Sequence, residues 1–252
     1  MLRRIAKRVI PSGAREWAKK SLTRAALGYD FATPGFSTGG EDALLNYLFA
    51  FRSEGFFVDV GAYHPTQSSN TYLFYLKGWR GINIDARPDS MALFDRVRPR
   101  DINLVRAIST DHETLSYNEM GADASMNTFS GEFIERLATG RQVVARQSME
   151  TVPLAAVLAE HLPTGQAIDF FSIDVEGLEL RVLASNDWTR FRPAFVLLES
   201  FAPLDEELFE SEVVRFMGEC GYRMILKTTT EMGFVADERS LSPVGQIEGV
   251  KR

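Results

Sequence analysis

The sequence predicts an α/β fold: a doubly wound, Rossmann-like sheet, mostly parallel, with an antiparallel C-terminal strand. Three observations carry this. From residue 56 onward, strand-like and helix-like segments alternate. Residues 168–175, IDFFSIDV, are apolar on both sides of the pleat, as a central parallel strand requires. Residues 222–227 and 233–236, near the end of the pattern, read as a hairpin that adds the antiparallel strand.

In chain order, residues 56–60 form a short apolar strand that ends in Asp59-Val60-Gly61. Residues 69–77 place Tyr72, Leu73 and Leu76 at helical spacing. Residues 81–85 make the second strand and 88–97 a helix, with Pro88 in the first turn, where its missing N–H costs nothing. Residues 102–109 make the third strand, and 114–118 an additional one. Residues 119–150 carry Gly121, Gly131 and Gly140 and one helix near 131–138. Long irregular segments inside compact domains are functional or mobile, so this stretch is expected to be an insertion or lid. A helix over 153–161, the fourth strand over 168–175, a helix over 178–184 and the fifth strand over 195–199 follow. Residues 205–219 read as one amphipathic helix, with Leu208, Val213, Phe216 and Met217 opposite Glu206, Glu207, Glu210 and Glu212. The expected organisation is a basic N-terminal helical extension over 1–50, a body over 51–240 with its insertion at 119–150, and a tail over 241–252.

Composition narrows the class. Apolar residues make up 45% and charged residues 25% of the 252, so the chain can bury a core without staples. The single cysteine, Cys220, excludes a disulfide framework and a zinc–cysteine cluster, and fits a cytoplasmic location. Residues 1–28 hold eight Lys/Arg against one acid, Glu16. That segment is therefore +7 and the remainder −13 within a net charge of −6. A body of charge −13 lacks the clustered cations that nucleic acid needs. The basic segment lacks a signal peptide's apolar core of roughly 7–15 residues. No stretch approaches the roughly 20 apolar residues of a membrane span. Residues 14–27 read as an amphipathic basic helix offering Trp17, Ala18, Leu22, Ala25 and Ala26. It is expected either to pack on the body or on a second copy in a homo-oligomer, or to touch an anionic membrane peripherally; both readings stay open.

In open α/β sheets, ligands bind at the carboxyl ends of the strands. Those ends collect Asp59 and Gly61, then Asp85, Ser109, Asp174 with Glu176, and Glu199. A glycine lets backbone and ligand approach. Asp59 can answer a cationic amino group. Asp85, 24 residues after Gly61, lies near the roughly 20-residue offset at which an acid meets ribose hydroxyls. The loop Gly61-Ala62-Tyr63-His64-Pro65 has one glycine, where a pyrophosphate cradle wants three. A nucleoside cofactor without pyrophosphate fits, and S-adenosyl-L-methionine is such a cofactor. Its expected site comprises Asp59, Gly61, Ala62, Tyr63, Asn70, Thr71, Asp85, Ala86, Ser109 and Asp174. Asn70 and Thr71 either cap the helix behind the loop or reach the methionine carboxylate. Ser125, Met126, Asn127, Thr128 and Phe129 in the insertion are the expected acceptor contacts, from position alone.

Residues 56–85 and 168–183 resemble the FkbM family of methyltransferases, which have the class I S-adenosylmethionine-dependent fold. VDVGAYHP with SNTYLFYLKGWRGINIDARP resembles the first two motifs, and FFSIDVEGLELRVL the I-D-V-E-G signature. The likeness spans about residues 54–236. The commoner family form has an asparagine and a second glycine after Gly-Ala; here Tyr63-His64-Pro65 stand there. The resemblance implies methyl transfer to a hydroxyl of a sugar or glycan-type acceptor, as in polysaccharide modification. Such transfer needs a base or a metal that acidifies the hydroxyl. Asp174, Glu176 and His64 are the candidate catalytic residues. Asp174 and Glu199 are candidate ligands of Mg²⁺, which oxygen donors suit. A non-catalytic nucleoside-binding protein and a methyltransferase of non-sugar metabolites are the alternatives.

Overall fold

A computed structural model describes residues 34–121, 124–137 and 142–239. The chain divides into two compact units, 1–35 and 36–252. The basic segment 1–28 with its expected helix, and the tail 241–252, lie outside the described residues. Residues 36–50, expected to belong to the N-terminal extension, group with the body instead.

The body begins with α1 (Glu41–Leu48), β1 (Phe56–Val60), α2 (Tyr72–Lys77), β2 (Arg80–Asp85), α3 (Ser90–Val97) and β3 (Ile102–Val105). Next come β4 (Ala107–Ile108), β5 (Thr114–Glu119), a 3-10 turn (Ala124–Met126), α4 (Gly131–Leu137) and β6 (Ala145–Val152). Then follow α5 (Leu154–His161), β7 (Phe170–Ile173), α6 (Glu179–Ala184), β8 (Phe195–Glu199), α7 (Glu206–Phe209) and α8 (Glu212–Glu219). A hairpin of β9 (Tyr222–Lys227) and β10 (Glu231–Ala236) ends the body.

The main sheet has the order β3-β2-β1-β7-β8-β10-β9. Its first five strands pair in parallel, and β10 runs antiparallel to β8 and β9. Alternation sorts the side chains onto two cores. Val58 and Val60 of β1, Phe171 and Ile173 of β7, and Val196 and Leu198 of β8 face the larger core, with Leu154, Leu158, Val182 and Met217 from the helices. Phe57, Phe170, Phe195 and Leu197 face the other, where Leu45, Phe49, Phe74 and Trp79 cover them. Each strand buries both faces, which is why these runs read as continuously apolar.

Three expectations are corrected. Residues 102–109 are not one strand. After Val105 the chain leaves the main sheet, and β4 joins a second sheet of order β4-β6-β5. The insertion is less irregular than expected, because β6 pairs antiparallel with β5 over six positions. Its sequence, ARQSMETV, is largely polar and half exposed, so it carries no apolar alternation to read. Residues 205–219 form two helices. Ser211 ends the first and caps the second, its hydroxyl accepting from the Val214 amide at 3.4 Å.

Candidate active site

The strand order reverses between β1 and β7, and the chain crosses there most tightly. Gly61 has φ +84°, and a Cβ on it would fall 1.6 Å from the carbonyl oxygen of Asp174. Its glycine is therefore demanded by the neighbouring strand's loop, not by ligand approach alone. The Gly61 and Ala62 amides donate to the Ile84 carbonyl, at 2.9 and 3.0 Å, and so join the loops after β1 and β2. Tyr63 has φ +48°. Its amide donates to Asp85 Oδ2 at 2.8 Å, and the Arg87 amide donates to Asp85 Oδ1 at 2.8 Å. Both carboxylate oxygens are thus aimed while each keeps a lone pair. Arg87 donates to the Tyr63 carbonyl, with its guanidinium 5.6 Å from the Tyr63 ring centroid.

A cleft runs along these strand ends. Gly61, Tyr63, Asp85 and Ala86 form one wall, Asp174 and Glu176 another. Ser125, Asn127 and Phe129 of the insertion close it, with Ile108 and Tyr117, whose ring lies 4.9 Å from that of Phe129. The insertion is fastened by Thr128, which donates to the Glu176 carbonyl at 2.7 Å. Glu176 itself holds φ +54°, a conformation a non-glycine residue keeps only when its surroundings impose it.

Beyond Asp174 opens a second cavity of about 280 Å³, and Asp174 lines both. Five carboxylates line this cavity: Glu41, Asp174, Glu176, Glu199 and Glu231. Register explains the gathering. Phe170, Ser172 and Asp174 share a face of the chain with Phe195, Leu197 and Glu199 alongside them. Glu231 is the cross-strand partner of Glu199. Glu41 stands one helical turn before Leu45, whose burial against Phe57 and Phe170 sets that face of α1 toward the sheet. Oxygens of Asp174, Glu176 and Glu199 lie within 4.8 Å of one another. Burial, then Glu179 and Asp59, pushes Asp174 up to about 7. Burial, then Asp174 and Glu176, pushes Glu199 up to about 11. Both carboxyls are pushed up, so the pair holds a shared proton in the hydrogen bond between Asp174 and Glu199. Glu231 rises to about 9, by burial and then by Asp174. A third cavity of about 270 Å³ shares Glu199 with this one and is walled by Phe133, Leu198, Phe201, Val213 and Met232.

The structure thus brings Gly61, Tyr63, Asn70, Asp85, Ala86, Asp174, Glu176 and Glu199 to these two cavities. It places five expected residues elsewhere. Asp59 is buried, accepting from Thr71 Oγ1 at 2.6 Å, and Thr71 accepts in turn from buried Arg98 at 3.0 Å. Both serve the packing beneath the loop. Ser109 donates to Glu113 at 2.8 Å, and Glu113 pairs with Arg181. Ala62 packs against Met91 and Phe94. His64 accepts at Nδ1 from the amides of Thr66 and Gln67, at 3.2 and 3.0 Å, and so caps a turn. It lines an outer cavity with Arg87, away from the five acids. Sequence reasoning missed Glu41 and Glu231. The spacing of Glu41, Leu45 and Phe49 was a readable signal for the first. The second had none, because it depends on the register of β10 against β8.

The sheet is seven-stranded and mostly parallel with one antiparallel strand, and a cleft opens at its β1/β7 reversal, the place where open α/β sheets bind ligands. The family model described as methyltransferase FkbM domain matches residues 59–224, and the chain belongs to that family. Similar solved structures include precorrin-6y C5,15-methyltransferase from Geobacter metallireducens, at 11% identity over 81% of this chain and 93% of that one, TM-score 0.42. A TehB-like SAM-dependent methyltransferase from Corynebacterium glutamicum is 12% identical over 90% and 100%, TM-score 0.41. An O-methyltransferase from Bacillus cereus in complex with SAH is 10% identical over 92% and 96%, TM-score 0.35. No curated protein matches the chain. Among the described residues, no helix is long and apolar enough to cross a membrane.

Proposed function

We propose that this S-adenosylmethionine-dependent methyltransferase transfers its methyl group to a hydroxyl of a sugar or glycan-type acceptor, with Asp174 as the base. One observation carries the reading: Asp174 lines both the cleft suited to the cofactor and the acid cavity beyond it. In the cleft, Asp85 takes the ribose hydroxyls and Gly61 and Tyr63 border the methionine portion. An acceptor hydroxyl in the acid cavity attacks the sulfonium methyl carbon. The new C–O bond forms as the S–CH₃ bond breaks, its electron pair stays on sulfur, and the hydroxyl proton passes to Asp174. Thr38, Ser68, Asn70, Ser125 and Thr230 give the cavity hydroxyl and amide groups that can bond a polyhydroxylated acceptor.

Asp174, Glu176 and Glu199 also fit a hard divalent cation, since three carboxylate oxygens lie within ion-sharing distance. Mg²⁺ held there would lower the pKa of the attacking hydroxyl. The proton that Asp174 and Glu199 share in the ligand-free site would leave as the ion binds.

The test is radiolabelled methyl transfer to a panel of glycans, with the methyl group located by NMR. Asp174→Asn should lower turnover by about 10²–10⁴-fold, the usual worth of a positioned base, with S-adenosylhomocysteine affinity kept within a few-fold. Wild-type turnover by that variant, or a methyl found on carbon or nitrogen, would overturn the reading.

A further inference from the structure

The acid cavity holds more carboxylate than methyl transfer requires. Glu41 and Glu231 are 4% and 7% exposed, and both line it. They stand outside the trio whose oxygens cluster within 4.8 Å. The Glu41 carboxylate accepts from the Gly39 amide at 2.8 Å. The Glu231 carboxylate receives no hydrogen bond and no ion pair from any described residue. Lys227, four residues before it, directs its ammonium to the carbonyls of Ser200 and Thr228, at 2.9 and 2.6 Å. Among the described residues, no lysine or arginine lines the cavity.

Burial beside Asp174 with no donor keeps Glu231 protonated in the empty cavity, and a ligand cation that brings its own donors can take the place of that proton. The cofactor cannot supply them all. Its sulfonium and ammonium against one carboxylate leave a single net positive charge facing five acids. Glu231 lies directly across the strand pair from Glu199, so their Cβ atoms are about 5 Å apart. That separation suits a cation and a hydroxyl on neighbouring carbons of one molecule. A compact ammonium brings several donors and the charge that a neutral hydroxyl lacks.

We propose that Glu231 and Glu41 bind an ammonium group of the acceptor, so that the methylated hydroxyl belongs to an amino sugar or a comparable amino alcohol. This rests on the reading that the acid cavity receives the acceptor.

The experiment is calorimetric titration of the full chain. S-adenosylhomocysteine is added first; then glucosamine, N-acetylglucosamine, glucose and Mg²⁺ are titrated separately into the complex. Glucosamine should bind at least tenfold tighter than the two neutral sugars. Glu231→Gln should erase that preference while S-adenosylhomocysteine and Mg²⁺ bind as in wild type. Equal affinity for the three sugars, or binding of none, overturns the proposal, and the wild-type comparison stands even if the variant does not fold. Loss of S-adenosylhomocysteine binding in the variant assigns Glu231 to the cofactor's own ammonium, and loss of Mg²⁺ binding assigns it to a metal; either overturns the proposal. Failure of wild type to bind S-adenosylhomocysteine would instead strike the cofactor reading beneath it.

Discussion

A Cβ added to Gly61 would fall 1.6 Å from the carbonyl oxygen of Asp174. That contact is backbone against side chain, so no rotamer change relieves it. The same residue holds φ +84°, which an alanine keeps only at a cost of about 1–3 kcal/mol. Gly61→Ala must therefore push the loops after β1 and β7 apart, which misplaces Tyr63 and Asp174 together. Both a lower melting temperature and loss of measurable S-adenosylhomocysteine binding are expected, by thermal melts and calorimetry. Wild-type affinity in the variant would show that the two loops move independently of the cofactor cleft.

Asp85 is aimed by two backbone amides at 2.8 Å, from Tyr63 and Arg87. Its bonds to ribose would be charge-assisted, each worth about 1.5–3 kcal/mol. Asp85→Ala should weaken S-adenosylhomocysteine binding by roughly 10–100-fold, and turnover at saturating cofactor should change far less. An unchanged dissociation constant would remove Asp85 from the ribose site.

The main sheet was legible in the sequence because its strands bury both faces, as FFVDV and FFSI do. The second sheet was not, because β6 buries only one of its side chains and holds its place by backbone pairing to β5. The site divides in the same way. Asp85, Asp174 and Glu199 were legible because a strand's end points at the ligand crevice. Asp59 sits at such an end as well, yet its parity turns it under the loop toward Thr71 and Arg98. Position along the strand could be read, but the direction of the side chain required the packed neighbours. Glu231 lies at the start of an antiparallel strand, which brings it to the same end of the sheet.

Burial makes the acid cavity pH-sensitive, and the sign follows from its raised carboxyls. Asp174 titrates at about 7, Glu231 at about 9 and Glu199 at about 11 in the folded protein. In the unfolded chain such groups lose their protons near 4. Between these limits the folded state binds more protons, so stability falls as pH rises. The melting temperature of the ligand-free protein should drop between about pH 6 and about pH 9. Glu199→Gln, neutral throughout, should flatten that slope and melt higher at the alkaline end. Calorimetric scans in metal-free buffer check this; a melting temperature that climbs across the interval contradicts the assignment.

Asp59 offers the sharpest separation of a packing role from a cofactor role. Its carboxyl accepts from Thr71, which accepts from Arg98, and Arg98 is paired with Asp101 at 2.9 Å. All of this lies beneath the loop that carries Gly61, and Asp59 lines none of the described cavities. Asp59→Ala leaves the buried Thr71 hydroxyl short of its acceptor, while Arg98 keeps its pair with Asp101. The expected loss is about 1–3 kcal/mol of stability for the unsatisfied group, seen as a lower denaturation midpoint. In the fraction that remains folded, S-adenosylhomocysteine should bind within a few-fold of wild type. A large loss of affinity at unchanged stability would restore Asp59 to the methionine site and reverse the placement made from its buried contacts.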